Sequence, residues 1–315
     1  METNTAPRQG LAGAAIIVVN YGSHSLLQTN LLAVSDAVPE ALCVVIDNFT
    51  TTDEQQSVKK LGDQHGWLTV MLPSNQGFGE GVNAGATAAF AAGASILLVL
   101  NPDATIDRES VVRLVSGVRD DPMLMVAPHI RWSDGRTWFS GSDLYLGDGR
   151  MGSPRRRAER AGEPFQEWLT GACFAVSKAL WTSIGGFDPD YFLYWEDVDL
   201  SFRAVEAGGH LRVDLEAEAV HDEGGTHPDR VSGRAKSELY YYYNIRNRLV
   251  FATKHTDSED LAHWLRVTPR VSYEVLLQGG RRQFLRPWVT LRPLIRGIRD
   301  GRRFVREHSH GKTSG

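Results

Sequence analysis

The chain has 315 residues, 42% hydrophobic and 23% charged, with a mean hydropathy of -0.27 and a formal net charge of -4. That composition belongs to a globular protein with a sizeable core and excludes a disordered or fibrous chain. No apolar run is long enough to span a bilayer, METNTAPRQG lacks the pattern of a secretory signal, and only Cys43 and Cys173 are present, which excludes a disulfide framework and fits a reducing cytosol.

The first half alternates strands and helices. Ala14–Asn20 is a β-branched run without polar alternation, the mark of a strand buried on both faces. A helix is predicted at Ser25–Val38, a second buried strand at Ala41–Asp47, a helix at Asp53–His65 and a third strand at Trp67–Leu72. The Ala-rich segment Gly79–Gly93 predicts a helix, Ser95–Leu100 a fourth strand and Arg108–Val118 a helix. This alternation predicts a mostly parallel sheet covered on both faces.

The next segment is less regular. Met123–Pro128 reads as a strand and Trp132–Phe139 as a hairpin or edge. Gly147–Gln166 has little apolar material and reads as a mobile loop. A strand at Trp168–Val176, a helix at Lys178–Ser183, a turn at Gly185-Gly186, a helix at Asp197–Ala207 and a strand at Leu211–His221 follow. From Ser237 onward the chain reads as helical and tail-like.

Several motifs fall at predicted strand ends, where open parallel sheets bind ligands. Asp47 ends the second strand and suits a nucleotide hydroxyl or base N–H; a cap for the next helix is the plainer alternative. Asn75-Gln76-Gly77-Phe78-Gly79-Glu80-Gly81-Val82-Asn83-Ala84-Gly85 follows the third strand, so its N–H groups can face an anion, or its glycines can serve close helix–sheet packing. It departs from the dinucleotide fingerprint, because Val82 stands where a glycine is required. Asn101-Pro102-Asp103 ends the fourth strand and offers either a divalent-ion carboxylate or a turn. His221, before Asp222-Glu223-Gly224-Gly225-Thr226-His227, is either a metal or phosphate contact or a polar surface residue.

The most informative stretch is Trp168–Arg203. It sets Glu196-Asp197 at a helix start, directly after Tyr191, Phe192, Tyr194 and Trp195. Aromatic walls raise a carboxylate's basicity by desolvation and can hold a ring-shaped substrate, as a general base for a sugar hydroxyl requires. The alternative is a helix N-terminus favoured by charge–dipole attraction, with Asp199 and Arg203 as an i,i+4 pair.

In this order the motifs resemble a family 2 glycosyltransferase with the GT-A fold, over roughly residues 14–230. The resemblance rests on the strand ending Asn20-Tyr21, Asp47, the glycine loop, Asn101-Pro102-Asp103, and Gly186-Phe187-Asp188 through Glu196-Asp197-Val198-Asp199-Leu200. Within the family it is most similar to the rhamnosyltransferase-like branch, whose members often use dTDP-L-rhamnose. It implies an α/β GT-A domain over residues 11–235, a flexible tail at 1–10 and a helical, basic extension at 236–315.

By position, the resemblance implies Asp197 as catalytic base, with Glu196 helping to hold the acceptor. It puts Asn20, Asp47, Asn75, Gly77, Asn83 and Asn101 around the donor, and Tyr194, Trp195 and Gly171 around the acceptor. It assigns Mg2+ or Mn2+ to Asp103 and His221. Asn101 stands where the family's D-x-D motif begins with an acid, so it offers a carbonyl oxygen without charge. The expected reaction is one inverting displacement, moving a sugar from a nucleotide diphosphate to an acceptor hydroxyl in cell-surface polysaccharide or glycolipid assembly. A UDP-sugar donor with another acceptor is the alternative.

Other classes fit less well. A sugar-nucleotide nucleotidyltransferase carries an Arg-containing glycine loop after strand one, which Asn20-Tyr21-Gly22-Ser23 does not provide. A non-catalytic nucleotide-sugar-binding partner protein would not need the acids at 47, 103, 196 and 197. Nine arginines lie between Arg281 and Arg306 against one acid, Asp300, while the rest of the chain balances at -12. No nucleic-acid partner is expected, because the basic tail is short and the body acidic.

The C-terminal segment leaves several readings open. Phe284, Trp288, Leu291, Ile295 and Ile298 share one helical face beside arginines. That pattern suits an anionic membrane surface through residues 281–306, a cover for the domain, or a homodimer contact. Pro287 and Pro293 are expected to interrupt the helix or begin turns. SELYYYYNIRNR offers an aromatic strip or a packing face, with Arg246 and Asn247 within reach of an acceptor phosphate. The expected location is cytoplasmic, or the inner face of the cell membrane, where a glycan or polyprenyl-linked acceptor would be met.

Overall fold

The computed structural model describes residues 10–221, 236–280, 284 and 287–308. They fall into two compact units. The first holds residues 10–141, 169–188 and 200–221; the second holds residues 142–168, 189–199 and those from 236 onward. The tail expected at residues 1–10 (apart from Gly10), the segment Asp222–His227 and the expected boundary at 235 lie outside the described residues.

The first unit is built on a nine-stranded sheet among the described residues. Its strands are β1 (Ala14–Asn20), β2 (Leu42–Asp47), β3 (Leu68–Met71), β4 (Ile96–Leu100), β5 (Ala104–Ile106), β6 (Leu124–Arg131), β7 (Thr137–Phe139), β11 (Cys173–Ser177) and β12 (His210–His221). The order is β3-β2-β1-β4-β11-β6-β12-β5, with β7 paired to β6. β1 to β4 pair in parallel, whereas β11 runs antiparallel to both β4 and β6. All residues of β1 and β4 are buried, and all but the terminal Asn20 are apolar, on both faces. Order reverses between β1 and β4, which makes their carboxyl ends the switch point of the sheet.

Helices connect the strands. α1 (His24–Leu26) passes through a π-helical turn, Leu27–Leu31, into α2 (Leu32–Ala37). α3 (Thr52–His65) starts where Thr51 Oγ1 accepts from Glu54 N at 3.2 Å and stops at Gly66 in a left-handed conformation. α4 (Phe78–Ala91) lies close to the sheet: a Cβ on Gly85 would stand 2.5 Å from Ile46 Cδ1, and one on Gly81 2.8 Å from Val19 Cγ1. These two glycines therefore serve close packing. α5 (Arg108–Asp120) and α6 (Lys178–Ile184) start on Asp107 and Ser177 caps.

The second unit holds a three-stranded antiparallel sheet, β8 (Ser142–Tyr145), β9 (Arg150–Gly152) and β10 (Phe165–Trp168), in the order β10-β8-β9. It also holds α8 (Glu238–His255), α9 (Ser258–Leu277) and α10 (Pro287–His308). Buried Arg248 ties sheet to helices: it donates to Asp148 O and to Thr268 Oγ1 at 3.1 Å, while Trp264 Nε1 donates to Leu146 O at 2.8 Å. Gly149 is required there, since a Cβ would stand 2.3 Å from the Trp264 ring and its φ is +69°. α7 (Glu196–Glu206) begins with residues of the second unit and ends with residues of the first.

Four sequence expectations differ from the structure. Gly147–Gln166 is not an irregular loop: it contains β9, a 3-10 turn at Pro154–Arg160 and the start of β10. Polar contacts replace an apolar core there. Arg157 bonds both oxygens of buried Asp143 at 2.8 and 2.6 Å and stacks on Phe165, and Arg160 stacks on Tyr145. The strand expected at Trp168–Val176 is two strands, parted by buried Leu169–Ala172. β5 is a short strand that the Asn-Pro-Asp turn concealed. Pro293 neither breaks α10 nor begins a turn; it lies within the helix, buried, as Pro269 lies within α9.

Candidate active site

In the first unit, four strand ends gather polar residues on the carboxyl edge. Asn20 and Asp47 are register partners at the ends of β1 and β2, both fully buried. Asn20 Nδ2 donates to Asp47 Oδ1 at 3.1 Å and to Glu54 Oε1 at 3.0 Å. Glu54 also accepts from His24 N at 2.7 Å and from His24 Nδ1 at 2.6 Å. Burial raises the Asp47 carboxyl above its ordinary value; the Asn20 hydrogen bond opposes this and the nearby Glu54 charge adds to it. For Glu54 the burial effect is outweighed by hydrogen bonds from Asn20 and His24, and the net shift is downward.

The glycine loop is fastened to the end of β2 by Asn48. Its Nδ2 donates to Gly77 O at 2.9 Å, and its Oδ1 accepts from Gln76 N at 2.9 Å. Asn75 Oδ1 accepts from Gly77 N at 2.9 Å, and Gly77 has φ +90° as it enters α4. Asn83 points elsewhere: its amide bridges Phe187 O and N at 2.8 and 2.9 Å and fixes the chain after Gly186.

Asp103 and His221 meet at the end of β4 and β12. His221 Nε2 donates to Asp103 Oδ1 at 3.0 Å, both groups are buried, and Trp138 lies edge-on to the imidazole at 4.4 Å. His221 Nδ1 is buried without a partner among the described residues. Asn30, in the π-helical turn, donates to Pro102 O at 3.0 Å and steadies the Asn101-Pro102-Asp103 turn. Nδ1 faces away from Asp103, so the two side chains could share a divalent ion only through Nε2, in place of their hydrogen bond, with its other ligands coming from phosphate oxygens and water. Among the described residues no group of three or more His, Cys, Asp or Glu side chains could enclose an ion. The pair therefore fits an ion held jointly with a diphosphate and not a closed cage.

Gly171 is also in the first unit, buried in the link to β11, where Asn101 N donates to Ala172 O at 2.9 Å.

In the second unit, Tyr194 and Trp195 have φ of +63° and +75° immediately before α7. Such conformations cost non-glycine residues about 1–3 kcal/mol each and persist where the surroundings impose them. Here Asn247 imposes them: its Nδ2 donates to Leu193 O at 3.0 Å and to Tyr194 O at 2.7 Å. The resulting turn opens α7 with Glu196 and Asp197. Glu196 is buried and its Oε2 has no partner among the described residues. Burial, reinforced by the Asp197 charge, pushes its carboxyl well above the ordinary value. Asp197 is half-buried and accepts from Val198 N at 2.9 Å. One acid is thus favoured protonated beside a second with solvent access.

The aromatic residues around this turn divide by burial. Tyr191 and Trp195 are in the core, with Trp195 5.5 Å from Phe251. Phe192 and Tyr194 are half-buried; Phe192 stacks on Tyr243 at 5.6 Å, and Tyr194 lies edge-on to Tyr240 at 5.2 Å. Arg246 donates to Asp190 O at 2.7 Å. Buried Asn247 is engaged at both amide atoms, Nδ2 on the backbone carbonyls and Oδ1 accepting from Arg246 at 2.6 Å. Asp199 Oδ1 accepts from His255 Nε2 at 2.7 Å, holding the first turn of α7 to α8.

Sequence reasoning missed His24, Asn30, Asn48, Glu54 and His255. Only Asn48 carried a visible signal, its place directly after Asp47 at a strand end.

Comparison with known proteins places the chain. Residues 12–269 match the family described as "Glycosyltransferase like family 2". The N-acetylglucosaminyl-diphospho-decaprenol L-rhamnosyltransferase of Mycobacterium tuberculosis is 26% identical over 269 residues, covering 76% of this chain and 84% of that protein. A low-salt glycan biosynthesis hexosyltransferase of Haloferax volcanii is 23% identical, covering 75% and 74%. Among solved structures, the mannosyltransferase PcManGT of Pyrobaculum calidifontis, in complex with GDP-Man and Mn2+, superposes with a TM-score of 0.56 at 16% identity, over 95% of this chain and 89% of that one. GalNAc-T7, with UDP, GalNAc and Mn2+, gives 0.55 at 15% identity over 86% and 57%. Such identities bear on the fold, which is GT-A. The chain belongs to glycosyltransferase family 2 and is a glycosyltransferase.

Proposed function

We propose that the chain transfers L-rhamnose from dTDP-rhamnose to a hydroxyl of a polyprenyl-diphosphate-linked glycan, with inversion at the anomeric carbon. The observation that carries the donor half is the joining of Asn20, Asp47, Asn48 and the Asn75–Gly77 loop into one polar cluster at the carboxyl ends of β1 and β2, next to the switch point of the sheet. The sugar and acceptor are those of the mycobacterial rhamnosyltransferase. The hexosyltransferase named for the Haloferax relative supports a second reading, a UDP-hexose donor.

In this mechanism Asp47 receives a ribose or base N–H or O–H, and the Asn75–Gly77 loop, held by Asn48, lies beside the donor's diphosphate. Asp103 and His221, with the Asn101 carbonyl oxygen, would hold Mg2+ or Mn2+, which when bound offsets charge on the departing diphosphate. Asp197 takes the proton from the acceptor hydroxyl as that oxygen attacks C1 opposite the nucleotide. The bond from C1 to the acceptor oxygen forms as the bond from C1 to the diphosphate oxygen breaks. Glu196, held protonated, keeps the neighbouring site from carrying two negative charges and can donate to an acceptor oxygen. Tyr194 lines the acceptor side and Trp195 backs it from the core.

The test is a donor panel of dTDP-rhamnose, UDP-hexoses and GDP-mannose, each with an N-acetylglucosaminyl-diphospho-polyprenol acceptor and Mg2+ or Mn2+. Product mass and anomeric NMR are read. Rhamnose transfer with inverted configuration is expected. Transfer from a UDP-hexose alone moves the assignment to the second reading, and retention of configuration removes the single-displacement mechanism.

A further inference from the structure

Helix α10 is seated by one stripe and leaves another uncovered. Its seated stripe is small: a Cβ on Gly297 would stand 2.8 Å from Tyr242 O, and one on Gly301 2.9 Å from Leu249 Cδ1. Phe304 and Val305 are buried on the same side. The uncovered stripe carries Trp288 at 81% exposure, Ile295 at 61% and Leu291 at 39%. Spacings of three and four residues put these three on one line along the helix. They are exposed although the helix already has its packing face, so covering the domain does not explain them.

Charge surrounds this line. Arg292, Arg296, Arg299, Arg302, Arg303 and Arg306 are all exposed. Arg299 meets Asp300 and Arg303 meets Glu307, but no ion pair engages Arg292, Arg302 or Arg306 among the described residues. Leu265 of α9 extends the apolar line: with Ile295, Ile298 and Val305 it floors an open groove of about 660 Å³, rimmed by Arg299, Arg302 and Arg306. No helix among the described residues is long and apolar enough to cross a membrane.

Three occupants can be weighed. A second copy docking isologously would bring this arginine-rich patch against itself, and like charges would oppose the contact. A nucleic acid would use the arginines but leave Trp288, Leu291 and Ile295 in water. An anionic bilayer satisfies both: its phosphates meet the guanidiniums, and its acyl boundary takes the indole and aliphatic side chains. We propose that this face of α10 is a docking surface for an anionic phospholipid bilayer, on which the helix lies in the interface plane.

The test is co-sedimentation of the full chain with vesicles of phosphatidylcholine alone and of equimolar phosphatidylcholine and phosphatidylglycerol, without donor or acceptor. Its failure therefore leaves the transfer reading intact. The chain is expected to pellet with the anionic vesicles only and to be released at high salt. Trp288→Ser with Ile295→Ser is expected to lower the partition by at least about tenfold. Arg302→Gln with Arg306→Gln is expected to lower it about fivefold per arginine. All four positions are exposed, and unchanged melting of both variants checks that folding is kept. The proposal is overturned if the wild type does not pellet with anionic vesicles, or if both variants pellet like it. It is equally overturned if sedimentation shows a dimer that Trp288→Ser dissociates while vesicle binding is absent.

Discussion

Asn247 holds Tyr194 in place: its Nδ2 donates to the Tyr194 carbonyl at 2.7 Å and to the Leu193 carbonyl at 3.0 Å from a fully buried position. The two donations lie immediately before the Trp195 backbone and the acids of α7. The direction in which α7 presents Asp197 therefore depends on a residue 50 positions away in sequence, counted from Asp197 to Asn247.

Asn247→Ala takes the donor from two carbonyls of half-buried residues, at a cost of about 1–2 kcal/mol. With the left-handed turn released, Asp197 loses its fixed position. The expected result is a kcat reduced at least tenfold with the donor KM almost unchanged. A variant that loses stability but keeps kcat would show that Asn247 serves the fold alone.

Asp197→Asn keeps the shape of the first turn of α7 and removes the proposed base. Turnover is expected to drop by about 10²–10⁴-fold, the range for removing a positioned general base. Donor binding, read by calorimetry, is expected to stay close to wild type. Turnover near the wild-type rate would rule out Asp197 as the base.

The frame of the fold was legible because its signals are local. β1 and β4 are runs of apolar residues buried on both faces, and Glu196-Asp197 follows an unusual aromatic run in one contiguous segment. Residues 147–166 were not legible as structure, because Arg157 and Arg160 hold them through charge and ring contacts that leave no hydrophobic period. The supports of the site were hidden for a related reason. Glu54 reaches Asn20 across 34 residues and Asn247 reaches Tyr194 across 53, and nothing local in sequence marks such pairs. Asn83 shows the converse: its place in the glycine motif suggested a ligand contact, while its amide is taken up by the Phe187 backbone.

Glu196 gives the protein a pH signature. Its folded-state carboxyl titrates above the ordinary value of 4.5, so the native state holds that proton more tightly than the unfolded chain. Its contribution is then complete below that value and is lost as pH rises from there toward the folded-state pKa. Glu196→Gln carries no such penalty. Its melting temperature is expected to match wild type in acid and to exceed it by a margin that grows with pH above about 4.5. A margin that is constant with pH, or that shrinks, would contradict a protonated Glu196.

Arg157 tests whether ion pairs hold the 142–168 sheet. It bonds both oxygens of Asp143, which is fully buried, and also Glu167. Removing one partner of a buried pair costs about 3–5 kcal/mol, but solvent around the partly exposed Arg157 reduces this to about 2–3 kcal/mol. Arg157→Ala is expected to lose protection from amide exchange in β8 and β10 first. Asp143→Asn with Arg157→Ala is expected to recover part of the loss, since no bare charge stays buried. Equal protection in wild type and Arg157→Ala would mean that backbone pairing alone suffices.

Asn48 separates donor binding from chemistry. Its amide ties Gly77 O and Gln76 N to the end of β2, next to Asp47. Asn48→Ala frees the loop that would face the diphosphate, at a cost of about 1–2 kcal/mol in donor binding, which corresponds to about 5–30-fold in affinity. The donor KM is expected to rise by that factor while kcat at saturating donor changes little. Asn48→Asp keeps the acceptor for Gln76 N but loses the donation to Gly77 O, and it adds charge beside the diphosphate, so a larger rise in KM is expected. If both variants bind nucleotide as wild type does, the Asn75–Gly77 loop does not form part of the donor pocket.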